Sequence, residues 1–167
     1  MIIIPFSSPS THPNVLKKTL ENLGKLEFES ENRAVIDRFL DPTADNDALP
    51  EKTVTIRVRK GEKSKYSSLK KGDIVQVYWG QPRNGGVKVG VLPIRSIHYG
   101  RLVDVQGNLR FYFDGTESYQ SNFWWQEGFA NYEECLNYWR KQILSSKALP
   151  RPDNGLRVWF IEFGAAQ

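Results

Sequence analysis

Lys52-Thr53-Val54-Thr55-Ile56-Arg57-Val58-Arg59 is the stretch on which the fold turns. Val54, Ile56 and Val58 alternate with Thr53, Thr55, Arg57 and Arg59, a period of two that predicts a half-buried strand with one polar face. Upstream the period is helical. Pro13 suits a first helical position, and Leu16, Leu20 and Leu23 follow at helical spacing before Gly24. A second helix is predicted over residues 31–40 from Val35, Ile36, Phe39 and Leu40, followed by a polar, proline-bounded loop over 41–50. The three aspartates of that loop lack the glycine and distal glutamate of a calcium loop, so they read as surface.

Downstream of the opening strand, Lys70-Lys71-Gly72-Asp73 predicts a turn and 74–79 the next strand. Gln81-Pro82-Arg83-Asn84-Gly85-Gly86 is a hairpin-loop signal. Residues 87–92 and 94–105 read as strand, interrupted at Pro93, which suits a bulge or an edge. Gln106-Gly107-Asn108 turns into a strand over 109–113. A helix is predicted over 131–145, where Tyr132, Cys135, Leu136, Trp139 and Ile143 form one stripe, and a closing strand over 156–163. Short strands at short spacing predict an α+β fold: a small barrel of five to six mostly antiparallel strands with helices packed around it. Two parts are expected, an N-terminal helical extension over 1–49 on or near the barrel, and the barrel domain over 50–167.

Composition bounds the function. The chain has 167 residues, 40% apolar and 13% aromatic, ample for a packed core and unlike a disordered chain. No apolar run approaches the roughly 20 residues of a spanning helix, and Met-Ile-Ile-Ile-Pro-Phe lacks the basic flank of a signal peptide. No membrane partner is expected. Cys135 is the single cysteine, so no internal disulfide forms, and the expected setting is a reducing cytoplasm. Together with His12 and His98 it makes too small a set for a zinc site, and no metal or other cofactor is expected. Cys135 falls on the core stripe and reads as an inert hydrophobe.

Charge is uneven along the chain. Residues 1–50 carry five Lys/Arg against eight Asp/Glu, 51–110 thirteen against four, and 111–167 five against seven. A basic middle between acidic ends points to a polyanionic partner. Arg59, Lys60, Lys63, Lys65, Lys70 and Lys71 are its densest part and the candidate nucleic-acid-binding residues; the same residues also read as a solvated, solubilising loop. Phosphate loops, dinucleotide fingerprints and nucleophile elbows are absent, and the Gly86-to-Gly90 spacing fits no phosphate cradle. His98 reads as a structural strand residue.

Lys-Thr-x-Thr-x-Arg at Lys52–Arg57, the Gly72-Asp73 turn opening an apolar strand, and Gln126-Glu127-Gly128-Phe129 before a helix together resemble the ASCH domain family of the PUA-like superfamily. Val158-Trp159-Phe160-Ile161-Glu162-Phe163 is similar to its closing strand, and the resemblance covers roughly residues 50–164. It implies a small PUA-like β-barrel around a cleft, and RNA or a modified nucleoside as partner. In the Lys-Thr-x-Thr-x-Arg and Glu-Gly-Phe segments it resembles a branch of amidohydrolases acting on N4-acetylcytidine. For that branch the resemblance implies Lys52, Thr55 and Glu127 as catalytic residues. The N-terminal segment and the long basic stretch between Arg59 and Lys71 depart from a minimal member.

Those residues have a chemical reading of their own. Thr55 supplies a hydroxyl that becomes a nucleophile when a base takes its proton. Lys52 would be that base once burial or a cationic neighbour lowers its pKa. Residues at odd separation on a strand face opposite sides, so Lys52 meets Thr55 only if it precedes the regular ladder. Arg57 shares a face with Thr53 and Thr55 and would bind a phosphate or lower the Lys52 pKa, which makes Thr53 and Arg57 candidate ligand-binding residues. Glu127 would move the proton or hold an exocyclic amine. Trp124 and Trp125 precede it and would stack a base, worth about 1–3 kcal/mol. Other readings stay open: threonines are good strand formers, Lys52 and Glu127 also suit a structural ion pair, and the acidic N-terminal helices also suit a protein partner.

Overall fold

A computed structural model describes residues 1–7, 10–26, 38–45, 47–49, 52–59, 64–113, 119–120, 127–129, 131–145 and 155–165. Its strands are β1 (Ile3–Phe6), β2 (Lys25–Leu26), β3 (Val54–Val58), β4 (Ile74–Trp79), β5 (Val87–Val105), β6 (Asn108–Phe113), β7 (Tyr119–Gln120) and β8 (Leu156–Phe163). Six of these are four residues or longer. The helices are α1 (Pro13–Leu23) and α2 (Tyr132–Ser145). The architecture is α+β, with a mostly antiparallel sheet.

β5 is the spine. Its first half pairs with β4, its middle with β8 and its last third with β6, all antiparallel. The break expected at Pro93 is not a break: the strand runs through it, with a register shift against β8 between Ile94 and Ser96. Proline lacks only its own N–H, and its carbonyl still accepts from Gly164 N–H at 3.0 Å. The predicted hairpin turns form as read. Gln106 and Gly107 both take positive φ, 51° and 86°, which matches the right-handed strand twist at a two-residue turn.

The first residues are not purely helical. Ile3–Phe6 forms β1, parallel to β4, in register from Ile3–Gln76 to Phe6–Trp79. The helix read from Leu16 and Leu20 follows it. His12 caps its start, with Nδ1 accepting from Asn14 N–H at 3.2 Å. Most of the helix expected over 31–40 lies outside the described residues.

Two apolar clusters sit on opposite faces of the sheet. Ile4, Phe6, Leu16, Leu20, Val77, Leu92, Ile161 and Phe163 make one. Val54, Ile56, Phe111, Phe129, Cys135, Trp139, Val158 and Phe160 make the other. Each large side chain so buried contributes about 1.5–3 kcal/mol. The threonine face of β3 is therefore not polar surface: Thr55 is 2% exposed, because β1 and α1 cover that side.

The expected barrel is not closed by a hydrogen-bonded ladder. Among the described residues β1 pairs only with β4, and β3 only with β8. Side chains span the seam instead. The outward carbonyls of Ile3 and Pro5 accept from Lys65 Nζ (2.9 Å) and from the Arg57 guanidinium. On the facing edge, Ile56 N–H donates to Glu127 Oε1 at 3.1 Å. Edge groups that no strand pairs are thus satisfied by side chains, which also blocks a foreign strand from adding there.

Candidate functional site

Lys52 sits just before β3, outside the regular ladder. Its backbone N–H donates to Thr19 Oγ1 on α1 at 2.6 Å, which fixes where the strand begins. Its ammonium turns to Glu127, donating to Oε2 at 2.7 Å and to the Glu127 backbone carbonyl. The two side chains are 1% and 4% exposed. Gly128, at φ +89°, makes the turn that aims Glu127 one way and Phe129 the other way, into the second core. A Cβ there would press against Val15 Cγ1 at 3.2 Å, and the Gly128 carbonyl accepts from His12 N–H at 3.3 Å. The start of α1 therefore locks the Glu127 segment in place.

Phe6 lies beside the pair, with its ring centre 5.1 Å from Lys52 Nζ and 5.0 Å from Arg57 Cζ. Arg57 Nε and Thr11 Oγ1 are buried without a hydrogen-bond partner among the described residues. Burial pushes the Lys52 pKa down, opposed by Glu127 and assisted by the charge of Arg57. Burial pushes Glu127 up, opposed by Lys52 and Arg57. Both shifts run toward the uncharged forms, with burial the largest cause and the attraction between the two groups opposing it. Tyr138 on α2 is also raised, first by burial and then by the Glu127 charge.

The structure therefore brings together Lys52, Glu127 and Arg57. Thr55 lies on the adjacent strand, but no hydrogen bond joins it to Lys52 or Glu127, so the three expected catalytic residues do not form one hydrogen-bonded set. Thr53 lines a different place, a cleft of about 270 Å³ with Arg95, Glu162 and Gly164. Arg59 does not point into a solvated loop; it stacks on Tyr99, 3.9 Å from the ring centre. Lys65 reaches β1, while Lys70 and Lys71 are exposed at the turn before β4. Trp124, Trp125, Lys60 and Lys63 lie outside the described residues. His98 packs edge-on against Phe113 at 4.9 Å, and Cys135 is fully buried, with its thiol pKa pushed up by burial.

Sequence reasoning missed Phe6 and Thr19. No spacing pattern announces them, because they reach the site only through the β1–β4 pairing and the docking of α1. No group of three His, Cys, Asp or Glu suited to a metal occurs among the described residues. None of the described helices is long and apolar enough to cross a membrane. Neither a family model, a curated protein nor a solved structure matches the chain.

Proposed function

We propose that this is an ASCH-type, PUA-like domain of the cytoplasm that recognises RNA or an acylated cytosine nucleoside beside Arg57, and that the Lys52–Glu127 pair serves hydrolysis of an N4-acyl amide. One observation carries the reading. Two ionisable groups 75 residues apart are brought to 2.7 Å, almost without solvent, next to a guanidinium whose Nε has no partner among the described residues. An ion pair in such a place is weak support for stability, since apolar residues of similar volume hold a core as well or better. Its chemistry is more useful. In the neutral form Lys52 accepts the Thr55 hydroxyl proton as Thr55 Oγ1 attacks the acyl carbon. Glu127, protonated, donates to the departing exocyclic amine, and water then releases the acyl group from Thr55. Arg57 Nε offers a hydrogen bond to a carbonyl or phosphate oxygen. Because the pair is buried, a substrate reaches it only after local opening.

The test is release of cytidine from N4-acetylcytidine by the wild type and by Lys52→Ala, Thr55→Ala and Glu127→Ala, each checked for folding. Turnover that collapses in all three supports the reading. A second reading rests on Glu127 Oε1, which takes the Ile56 N–H: the pair is a clamp on the seam of a non-catalytic RNA-binding module. It is supported if no acylcytidine is turned over and Thr55→Ala binds RNA like the wild type.

A further inference from the structure

Residues directly opposite each other on neighbouring strands share one face of a sheet. Arg57 on β3 and Trp159 on β8 are such a pair, and Trp159 packs against the cluster that β1 and α1 help to build. The ring of Trp159 is already occupied: Tyr99 lies against it with ring centres 5.3 Å apart, and the Arg59 guanidinium is 5.4 Å from its centre. Its polar edge is not, for Nε1 is buried with no hydrogen-bond partner among the described residues. The same holds for Arg57 Nε, although the far end of that guanidinium donates to the Pro5 carbonyl. Of the buried polar atoms in that condition, these two belong to residues that the register sets side by side. The other edge of β3, away from β8, holds the acid. There Ile56 N–H donates to Glu127 Oε1, and the Phe6 ring touches both Arg57 and Lys52. Across the strand the order is therefore Trp159, Arg57, and then the Lys52–Glu127 pair.

Both unpartnered groups are donors only; neither an indole N–H nor a guanidinium can accept. A buried donor without an acceptor costs free energy, and two at opposed positions call for a partner with adjacent acceptors. An amine has none to give. A cytosine ring presents along one edge the 2-carbonyl oxygen, the bare ring nitrogen N3 and the exocyclic amine on C4. That is two acceptors, followed by the group proposed above to meet Glu127. A phosphate or carboxylate also accepts, but carries no amine beside its oxygens. Uracil breaks the match, because its N3 bears a hydrogen and would face a second donor, which a site built of donors rejects. We infer that Trp159 Nε1 and Arg57 Nε read the acceptor edge of a cytosine ring, Trp159 taking the 2-carbonyl and Arg57 taking N3, and so select cytosine over uracil. The inference rests on the proposed function in taking a cytosine nucleoside as ligand, admitted by the same local opening. Trp159 becomes a recognition residue, although the sequence marks it only as part of a closing strand.

The experiment is a nucleoside titration of the 15N-labelled full chain, followed through the indole N–H signals of its five tryptophans. The Trp159 signal is the one missing from Trp159→Phe. Cytidine, uridine, 3-deazacytidine (which has a C–H in place of N3) and inorganic phosphate are the probes. Cytidine should move the Trp159 signal downfield, as a new hydrogen bond does, and bind at least about tenfold more tightly than uridine or 3-deazacytidine. Trp159→Phe should bind cytidine about tenfold more weakly and keep the preference over uridine, whereas Arg57→Met should bring that preference to about one. The wild-type titrations stand even if a variant fails to fold. A Trp159 signal unmoved by bound cytidine would overturn the inference. So would uridine or 3-deazacytidine binding as tightly as cytidine, phosphate moving the signal as far as cytidine does, or no nucleoside binding at all. Cytidine release from N4-acetylcytidine is measured separately. Turnover with an unchanged KM in Trp159→Phe would sink the edge reading and leave hydrolysis standing; cytosine preference without turnover would do the reverse.

Discussion

Glu127→Gln removes a charge and almost no volume, which makes it the sharpest probe of the buried pair. The carboxylate has two acceptor oxygens in use, Oε1 toward Ile56 N–H at 3.1 Å and Oε2 toward Lys52 Nζ at 2.7 Å. An amide offers one oxygen and one NH2, so one of those donors must face another donor. Breaking a buried ion pair by removing one partner costs about 3–5 kcal/mol. Lys52 keeps its bond to the Glu127 backbone carbonyl, so the lower end applies, about 3 kcal/mol. With a urea dependence of about 2 kcal/mol per molar, the midpoint should fall by about 1.5 M. Adding Lys52→Met removes the stranded amine and leaves the amide oxygen to Ile56. The double variant should then be more stable than Glu127→Gln alone, a coupling of at least about 1 kcal/mol. Urea unfolding followed by tryptophan fluorescence reads both. A midpoint shift below about 0.5 M, or costs that simply add, would refute the reasoning.

Three other outcomes follow from described geometry. Thr43 donates its hydroxyl (2.7 Å) and its N–H (2.9 Å) to Asp41 Oδ1, which holds that carboxyl below its ordinary range. A lowered folded pKa stabilises above the unfolded value, about 4, and is lost as pH falls through the folded value. The Tm gap between wild type and Asp41→Asn should therefore be present at neutral pH and close in acid; a gap that widens in acid would contradict the assignment. Gly100 is a second case: a Cβ there would sit 2.0 Å from the Tyr112 carbonyl oxygen, so Gly100→Ala should force β5 and β6 apart and lower Tm by about 5 °C. An unchanged Tm would show that the strands move without cost. Cys135, fully buried and with its pKa raised, should react with a thiol reagent only as fast as the protein unfolds, and rapid labelling of the folded chain would disprove its place in the core.

The strands and α2 were legible because their patterns are local. Val54, Ile56 and Val58 declare a strand, and Tyr132, Cys135, Trp139 and Ile143 a helix, whatever else the chain does. β1 was not legible: four residues containing a proline give no period, and a parallel partner seventy residues on leaves no trace at either end. The alternation in β3 gives a polar face but cannot say what packs against a threonine, so the near-complete burial of Thr55 is not legible in it. Lys52 and Glu127 were named through a resemblance, and their pairing depends on the Gly128 turn and on His12 holding it.

The pairing of β3 with β8 joins Val54 to Glu162, more than a hundred residues further along the chain. During synthesis, therefore, β3 waits for its partner until β8 has left the ribosome. Until then the edge later covered by β8 and the apolar side chains of Val54 and Ile56 are open to other strands. Closing so long a loop is entropically slow, and sheets dominated by distant pairings fold on the millisecond-to-second scale. The nascent chain is thus exposed to aggregation while β8 is still missing, and ribosome-stalled chains ending before residue 156 should engage chaperones that chains extending past β8 release.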